Sequence, residues 1–368
     1  MIPLAVLFNA GAKGLLEKED LPLWIFLALL SAGMLNAVDK HIANRTFGET
    51  VLIAVSMYYL GKVLFRSGQR FYAGVICFCA AAVALGAAVE LFCRRNFLYE
   101  FLYNPYYERY LLAGRPMSTQ YNPAALGSFL LGCLPFFVFF LGRKERFWGW
   151  KLAGFVICLF VIIASFSRGV FLGLIASSLF FLAMTGKRRL LGVALAVIFL
   201  VITISSFSGN TNLNRFGFSR FIAGSGDSII SPYRLDRVKM SAAMVHDHPL
   251  AGVGLNNFRV LFSDYQAKRQ YETEEFKIAD NMYLTLAAEA GLPCLAVFLA
   301  FVFFLFKRGF RFARGSLRPT ALVVMAALTG LLVNMGAYEL FYWHNIFMLF
   351  CLICGFLAAG EIKNEVPA

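Results

Sequence analysis

The sequence predicts an all-α fold: a polytopic membrane bundle of about ten transmembrane helices with one large loop inserted among them. Three observations predict it. Of 368 residues, 60% are hydrophobic and 16% aromatic, with a mean hydropathy of +0.69, whereas soluble domains hold roughly 45–50% apolar residues. Several stretches approach ~18–20 apolar residues, the length that crosses a bilayer. Short basic clusters separate many of them. Residues 1–368 read as a single integral membrane domain, and 208–280 as the inserted loop.

Met1 to Asp20 lacks the basic start and the small-residue cleavage motif of a cleaved signal. Ile2–Leu16 is apolar but short, and Lys13 interrupts it, so it reads as an interfacial or partial segment. Spans follow near 22–38, 49–66, 71–93, 123–142, 149–166, 169–186, 189–207, 289–307, 319–337 and 341–360. Lys and Arg in short loops set orientation. RSGQR at 66–70, GRKER at 142–146, GKRR at 186–189 and KRGFRFARGSLR at 307–318 all fall on one side when the spans alternate. That side is cytoplasmic by the positive-inside rule, with both termini there and with 94–122 and 208–280 outward.

The outward loops are unusually basic. Arg94, Arg95, Arg109 and Arg115 lie in the first, and Arg215, Arg220, Arg234, Arg237, Lys239, Arg259, Lys268, Arg269 and Lys277 in the second. Either an anionic ligand binds there, or Asp236, Glu272, Glu274 and Glu275 balance a solvated surface. Within the long loop, SPYRLDRVKMSAAMVHDHP predicts a helix from Ser231 to His248. Ser231 suits the cap, Pro232 the first turn, and Pro249 ends the helix by restricting His248. Leu235, Val238, Ala242 and Val245 form an apolar stripe at helical spacing, with Arg234, Arg237 and Ser241 on another face. Arginines in a first helical turn oppose the helix dipole by about a few tenths of a kcal/mol each. A phosphate would reverse that penalty and gain bidentate hydrogen bonds. Otherwise Asp236 and solvent neutralise them. After the helix, HDHPLAGVGLNNF carries two glycines suited to turns. This stretch, fed by the arginines of the preceding helix, is the expected anion site.

In IADNMYLTLAAEAGLPCLAVFLAF, Asp280 reads either as a helix cap or as a general base. Gly291 and Pro293 predict a bend between a short helix and the span proper. SFSRG places Arg168 in a tight turn between two spans, either functional or snorkelling to the surface. Glu90, near the outer end of its span, is a partner for an arginine. Asn122-Pro123 opens a span, and His344 reads as a lone polar residue at the outer end of the last one.

Several function classes are excluded on the residues. The four His and eight Cys are scattered without metal-ligand spacing or a disulfide framework. No Walker motif occurs, and Gly252-Val253-Gly254 lacks the preceding strand and third glycine of a nucleotide fingerprint. No cofactor and no nucleic-acid partner are expected. A glycosyl or phosphoryl donor must arrive already activated, and a lipid-linked one fits.

Four stretches in order, STQYNPAALGSFL, SFSRG, YRLDRVKMSAAMVHDHPLAGVGLNNF and ADNMYLTLAAEAGLPCL, resemble the O-antigen ligase and polymerase family of bacterial membrane glycosyltransferases over roughly residues 118–305. The resemblance implies a helical bundle in the inner membrane with a large periplasmic loop. It implies a metal-independent inverting transferase whose donor glycan is carried on undecaprenyl diphosphate and whose acceptor is a lipid A core sugar or another glycan repeat. Arg234 matches the loop arginine associated with the donor diphosphate, and Arg168 the arginine of the Ser-Arg turn. Arg237 and Arg220 stand as helpers. Ligases of the family usually carry a His-Asn pair where this chain has Asp280-Asn281. Asp280, or the imidazole of His248, is left as the base. A family aromatic in the loop helix is replaced near Val238. Both departures weaken a ligase relative to a polymerase joining repeat units. A transporter or a non-catalytic binding partner of the same lipid is the remaining alternative; no inverted repeat supports transport.

Overall fold

The computed structural model describes residues 20–96, 99, 114–141, 148–186, 232–269 and 277–359. Ile2–Leu16, the basic loop at 142–146, the expected span at 189–207 and Arg220 lie outside them. The helices run α1 Leu21–Leu35, α2 Lys40–Thr46, a π turn Phe47–Val51, α3 Leu52–Cys93, α4 Pro123–Leu141, α5 Trp148–Ala164 and α6 Arg168–Met184. They continue with α7 Pro232–Asp247, α8 Phe258–Arg269, α9 Met282–Phe312, α10 Arg318–Met335, a 3₁₀ turn Leu340–Tyr342 and α11 His344–Ala358. No strand occurs among the described residues, and the all-helical expectation holds.

Four helical stretches are long and apolar enough to cross a bilayer: Lys40–Phe65, Gly68–Cys93, Met282–Phe312 and Arg318–Met335. The other spans expected within the described residues fall on shorter apolar helices: α1, α4, α5, α6 and α11. Helices pack where side chains are small, because backbones then approach closely and dispersion contacts replace the missing hydrophobic drive of water. A Cβ on Gly355 of α11 would strike the Tyr58 carbonyl of α3, and one on Gly61 would strike the Leu352 carbonyl. Gly173 of α6 meets Gly330 of α10 in the same way.

The loops sort to two ends. At one, Arg318 Nη2 donates to the Met184 carbonyl (3.3 Å) and Thr320 to Gln69 (2.9 Å). The residues around 69, 184 and 318–320 therefore share an end. At the other, Asp39 N donates to Asn257 (2.7 Å), Arg115 Nε to the Ser165 carbonyl (2.9 Å) and Asn281 Nδ2 to the Gly336 carbonyl (3.1 Å).

The break in α9 organises this second end. Gly291 adopts φ 84°, ψ 165°, the bend its sequence predicts. The break frees two carbonyls. Glu289 O would have accepted from residue 293, but Pro293 has no N–H. Ala288 O would have accepted from Leu292 N, which instead donates to Pro249 O at 2.8 Å. The long loop supplies the replacements: Val253 N donates to Ala288 O and Gly254 N to Glu289 O, both at 2.9 Å. Unpaired backbone groups are expensive in a bilayer-spanning chain, so this docking is demanded by the break. Gly252 (φ +66°) and Gly254 (φ +99°) are pressed against the backbones of Glu289 and Ala37. The glycines of HDHPLAGVGLNNF thus serve to close a broken helix.

A side chain at Gly291 would strike the Leu250 carbonyl and strain a left-handed backbone. Gly291→Val is therefore expected to release residues 248–257, read as a lower thermal midpoint and rapid proteolysis of that stretch. Pro293→Ala is expected to change stability by less than about 1.5 kcal/mol, because Gly254 N already serves the Glu289 carbonyl that the restored N–H would seek.

Candidate functional site

α7 forms as its sequence predicts, from Pro232 to Asp247. The apolar stripe points outward: Leu235 is 46% exposed and Val238 39%. Inside lie Arg237 (5% exposed), Met240, Ser241 and Met244. The two methionines join Phe258, Phe262 and Tyr265 of α8 and Ala279 and Ala288 beside α9 in a small separate core. Apolar periodicity located the helix, but Met240 and Met244 outcompeted the branched residues for the interior.

An arginine is pulled inside because a carboxylate waits for it. Asp280 Oδ2 lies 2.5 Å from Arg237 Nη1 and 3.5 Å from Arg234 Nε. Burial without such a partner would cost several kcal/mol. Asp236, the expected neutraliser, instead faces Lys239 at 3.6 Å. Asp280 is not the cap of α9. Asn281 is, its Oδ1 accepting from Tyr283 N (3.0 Å) and Leu284 N (3.1 Å). Asp280 sits one residue earlier in a left-handed conformation (φ 55°), which Asp tolerates better than most residues. Its side chain is turned to the arginines, and its second oxygen, Oδ1, has no hydrogen-bond partner among the described residues.

Arg168 begins α6 and reaches the same place. Gly169 beside it packs on Asn334 and Ala337, while Asn281 bonds the Gly336 carbonyl, so the start of α6 and the 279–281 turn meet at the end of α10. Among the described residues, Arg234 and Arg237 thus share one carboxylate, and Arg168 lies within electrostatic reach of Arg234. Like charges gathered this way repel, and an anion relieves the repulsion.

His248 is not part of this cluster. It is exposed at the far end of α7, roughly 16 Å along the axis from Arg237 at 1.5 Å per residue. Arg220 lies outside the described residues. Glu90 makes no ion pair with an arginine among the described residues: its Oε2 accepts from Met117 N (3.0 Å) and Ser118 N (2.7 Å). His344 is not alone: its Nε2 lies 2.9 Å from Thr50 Oγ1.

Two buried carboxylates near the site went unread in the sequence. Glu339, 4% exposed, accepts from Ala279 N (2.7 Å) and the Thr285 hydroxyl (2.8 Å), and so fixes the turn that carries Asp280. Burial raises its pKa above the ordinary carboxylate value, against the lowering effect of those hydrogen bonds and of Arg259. Glu289, 2% exposed, accepts from Asn256 N (2.8 Å), Phe258 N (3.1 Å) and the Tyr342 hydroxyl. It ties the docked loop to the 3₁₀ turn before α11. A lone carboxylate in an apolar stretch, AAEAG or AYELF, is the signal that marks such residues. No cluster of potential metal ligands occurs among the described residues.

Residues 153–299 match the model of the O-antigen ligase family. That segment runs from α5 into α9 and contains Arg168, Arg234, Arg237 and Asp280. No curated protein gives a significant match to the chain.

Two expectations follow from the geometry. Asp280→Ala leaves Arg237 buried without its partner and should cost about 3 kcal/mol, the low end for a broken buried pair because Asp280 keeps 15% side-chain exposure. The double variant Asp280→Leu/Arg237→Met should recover much of that loss in thermal melts. For Glu339, the folded state holds the proton more tightly than the unfolded chain, so wild-type stability falls as pH rises above the unfolded value. Glu339→Gln keeps the acceptor oxygen and removes the titration. Its advantage over wild type should grow from acid toward neutral pH and vanish at low pH, as measured by melting temperature.

Proposed function

We infer that this chain, whose residues 153–299 carry the O-antigen ligase domain, transfers a glycan from undecaprenyl diphosphate to a lipid A core sugar at the outer face of the bacterial inner membrane. The observation that carries this reading is the pairing of Arg234 and Arg237 with Asp280, with Arg168 within electrostatic reach of Arg234, all inside the matched segment. In this orientation both termini and the basic loops are cytoplasmic, and 208–280 is periplasmic.

The donor diphosphate docks against Arg168 and Arg234, whose guanidiniums match phosphate oxygens bidentately. Arg234 is the more available of the loop pair, with 43% side-chain exposure against 7% for Arg237. Arg237 holds Asp280 by one carboxylate oxygen, leaving Oδ1 toward the acceptor. The acceptor hydroxyl attacks the anomeric carbon opposite the leaving group and yields its proton to Asp280 Oδ1. The bond from that carbon to the phosphate oxygen breaks as the new glycosidic bond forms, with inversion. Undecaprenyl diphosphate departs with the electron pair, its charge stabilised by the arginines. Such stabilisation is commonly the largest catalytic contribution. With no phosphoryl transfer to drive and cations already placed at the leaving group, the arginines fill the role that a metal ion serves elsewhere.

Arg234→Ala is expected to lower transfer by at least ~10²–10³-fold, the effect of removing one charge-stabilising donor, with expression and folding normal. The measurement is complementation of a gene deletion, read by electrophoresis of surface glycans and of lipid-linked intermediates. Full-length chains stranded on undecaprenyl diphosphate above bare lipid A core are the expected result. Single repeat units on acceptor without long chains identify a polymerase, and wild-type glycans from the variant overturn the role of Arg234.

A further inference from the structure

Arg259 stands apart from the other cations at this end of the bundle. It is exposed, and its guanidinium lies over the Tyr342 ring, 5.0 Å from the centroid. It makes no hydrogen bond and no ion pair among the described residues. Its N–H donors are therefore open among the described residues, while the ring contact holds the guanidinium in place. Both sides of that stack are set by one buried carboxylate. Glu289 receives the Tyr342 hydroxyl, and through Asn256 N and Phe258 N it anchors the backbone immediately before Arg259. A guanidinium held over a ring, with no hydrogen bond or ion pair among the described residues, is available to an external oxyanion.

Its position says which substrate. Arg259 and Asp280 both act electrostatically on the buried carboxyl of Glu339, so both lie within electrostatic reach of it. Arg234 and Arg237 reach Asp280 through the carboxylate's Oδ2. Arg259 belongs to a different group, joined to the site through Glu339 and Tyr342. If Arg168 and Arg234 take the donor diphosphate, Arg259, outside that group, is left to serve the other substrate.

We propose that Arg259, stacked on Tyr342, is an acceptor-binding residue that recognises an oxyanion on the acceptor glycan, a phosphate or a sugar carboxylate. This rests on the glycosyl-transfer reading above. Bidentate geometry suits either anion. Glu289 and Tyr342 are positioning residues for it.

The test is equilibrium binding of lipid A core oligosaccharide to the purified full-length protein, with no donor present and no turnover required. Three forms of the oligosaccharide are compared: native, phosphatase-treated and carboxyl-reduced. Arg259→Ala is expected to weaken binding of the native form roughly tenfold or more, as expected for hydrogen bonds to a charged group. Arg259→Lys, which keeps the charge but loses the planar fork, should recover only part. The treatment that abolishes the difference between wild type and Arg259→Ala identifies the anion as phosphate or carboxylate. Equal binding by wild type and Arg259→Ala, or no binding of any form by wild type, overturns the proposal. So does an Arg259→Ala loss confined to the KM for donor in transfer assays. Arg234→Ala serves as the separate control: it leaves acceptor binding unchanged, and its loss of transfer tests the reaction itself, so failure of one reading is distinguishable from failure of the other.

Discussion

A helix that breaks inside a bilayer-spanning bundle must have its freed carbonyls satisfied, and the rest of this structure is arranged around one such break. Gly291 turns the chain, Pro293 withholds an N–H, and the carbonyls of Ala288 and Glu289 are left open. Val253 and Gly254 take them up. That docking fixes where the long loop returns to the bundle, and with it where α7 and α8 stand. Glycine is needed at 252 and 254 because the approach is backbone to backbone. The same break leaves Glu289 at the seam, where its carboxylate gathers Asn256, Phe258 and Tyr342.

Charge placement follows from that scaffold. With α7 held against the first turns of α9, Arg237 is carried inward and meets Asp280, while Arg234 stays half exposed beside it. Arg168 arrives from the start of α6, where small residues let that helix pack tightly on α10. No single element holds the site. It is assembled from α6, α7, the turn before α9 and the loop after α10. Among the described residues, Arg234 and Arg237 share the single carboxylate of Asp280, so the pair carries more positive than negative charge. A surplus of this kind suits a leaving group that gains negative charge as its bond breaks.

The two buried carboxylates divide the positioning between them. Glu339 holds the turn that aims Asp280, and Glu289 holds the loop and ring that aim Arg259. Neither needs to touch a substrate to matter. A displacement of about 1 Å in a reacting group is enough to cost much of a rate, so residues that fix backbone turns have leverage beyond their own contacts.

Composition and periodicity determined by themselves that the chain is helical and membrane-spanning, where most apolar helices run, that 232–247 is a helix, and that α9 bends at Gly291–Pro293. These are local properties: helix lengths, caps and breakers depend on neighbours within a few residues. The motif residues Arg168, Arg234 and Asp280 were legible as charged groups in unusual places. Which of them meet was decided only by the tertiary structure. Asp280 reads as a cap until Asn281 is seen to do that work. The Leu235–Val238 stripe marks a helix in the sequence, but only the structure shows that Met240 and Met244 fill the small core beneath α7. His248 is close in sequence to the arginines but lies at the other end of a rigid rod. Gly252 and Gly254 read as turn glycines, and only the structure shows the broken helix they close. The physical reason is common to all four: a residue's neighbours along the chain set its conformation, but its electrostatic and hydrogen-bond partners come from elements far apart in sequence, and a pairing such as Asn257 with Asp39 leaves no trace in either segment alone.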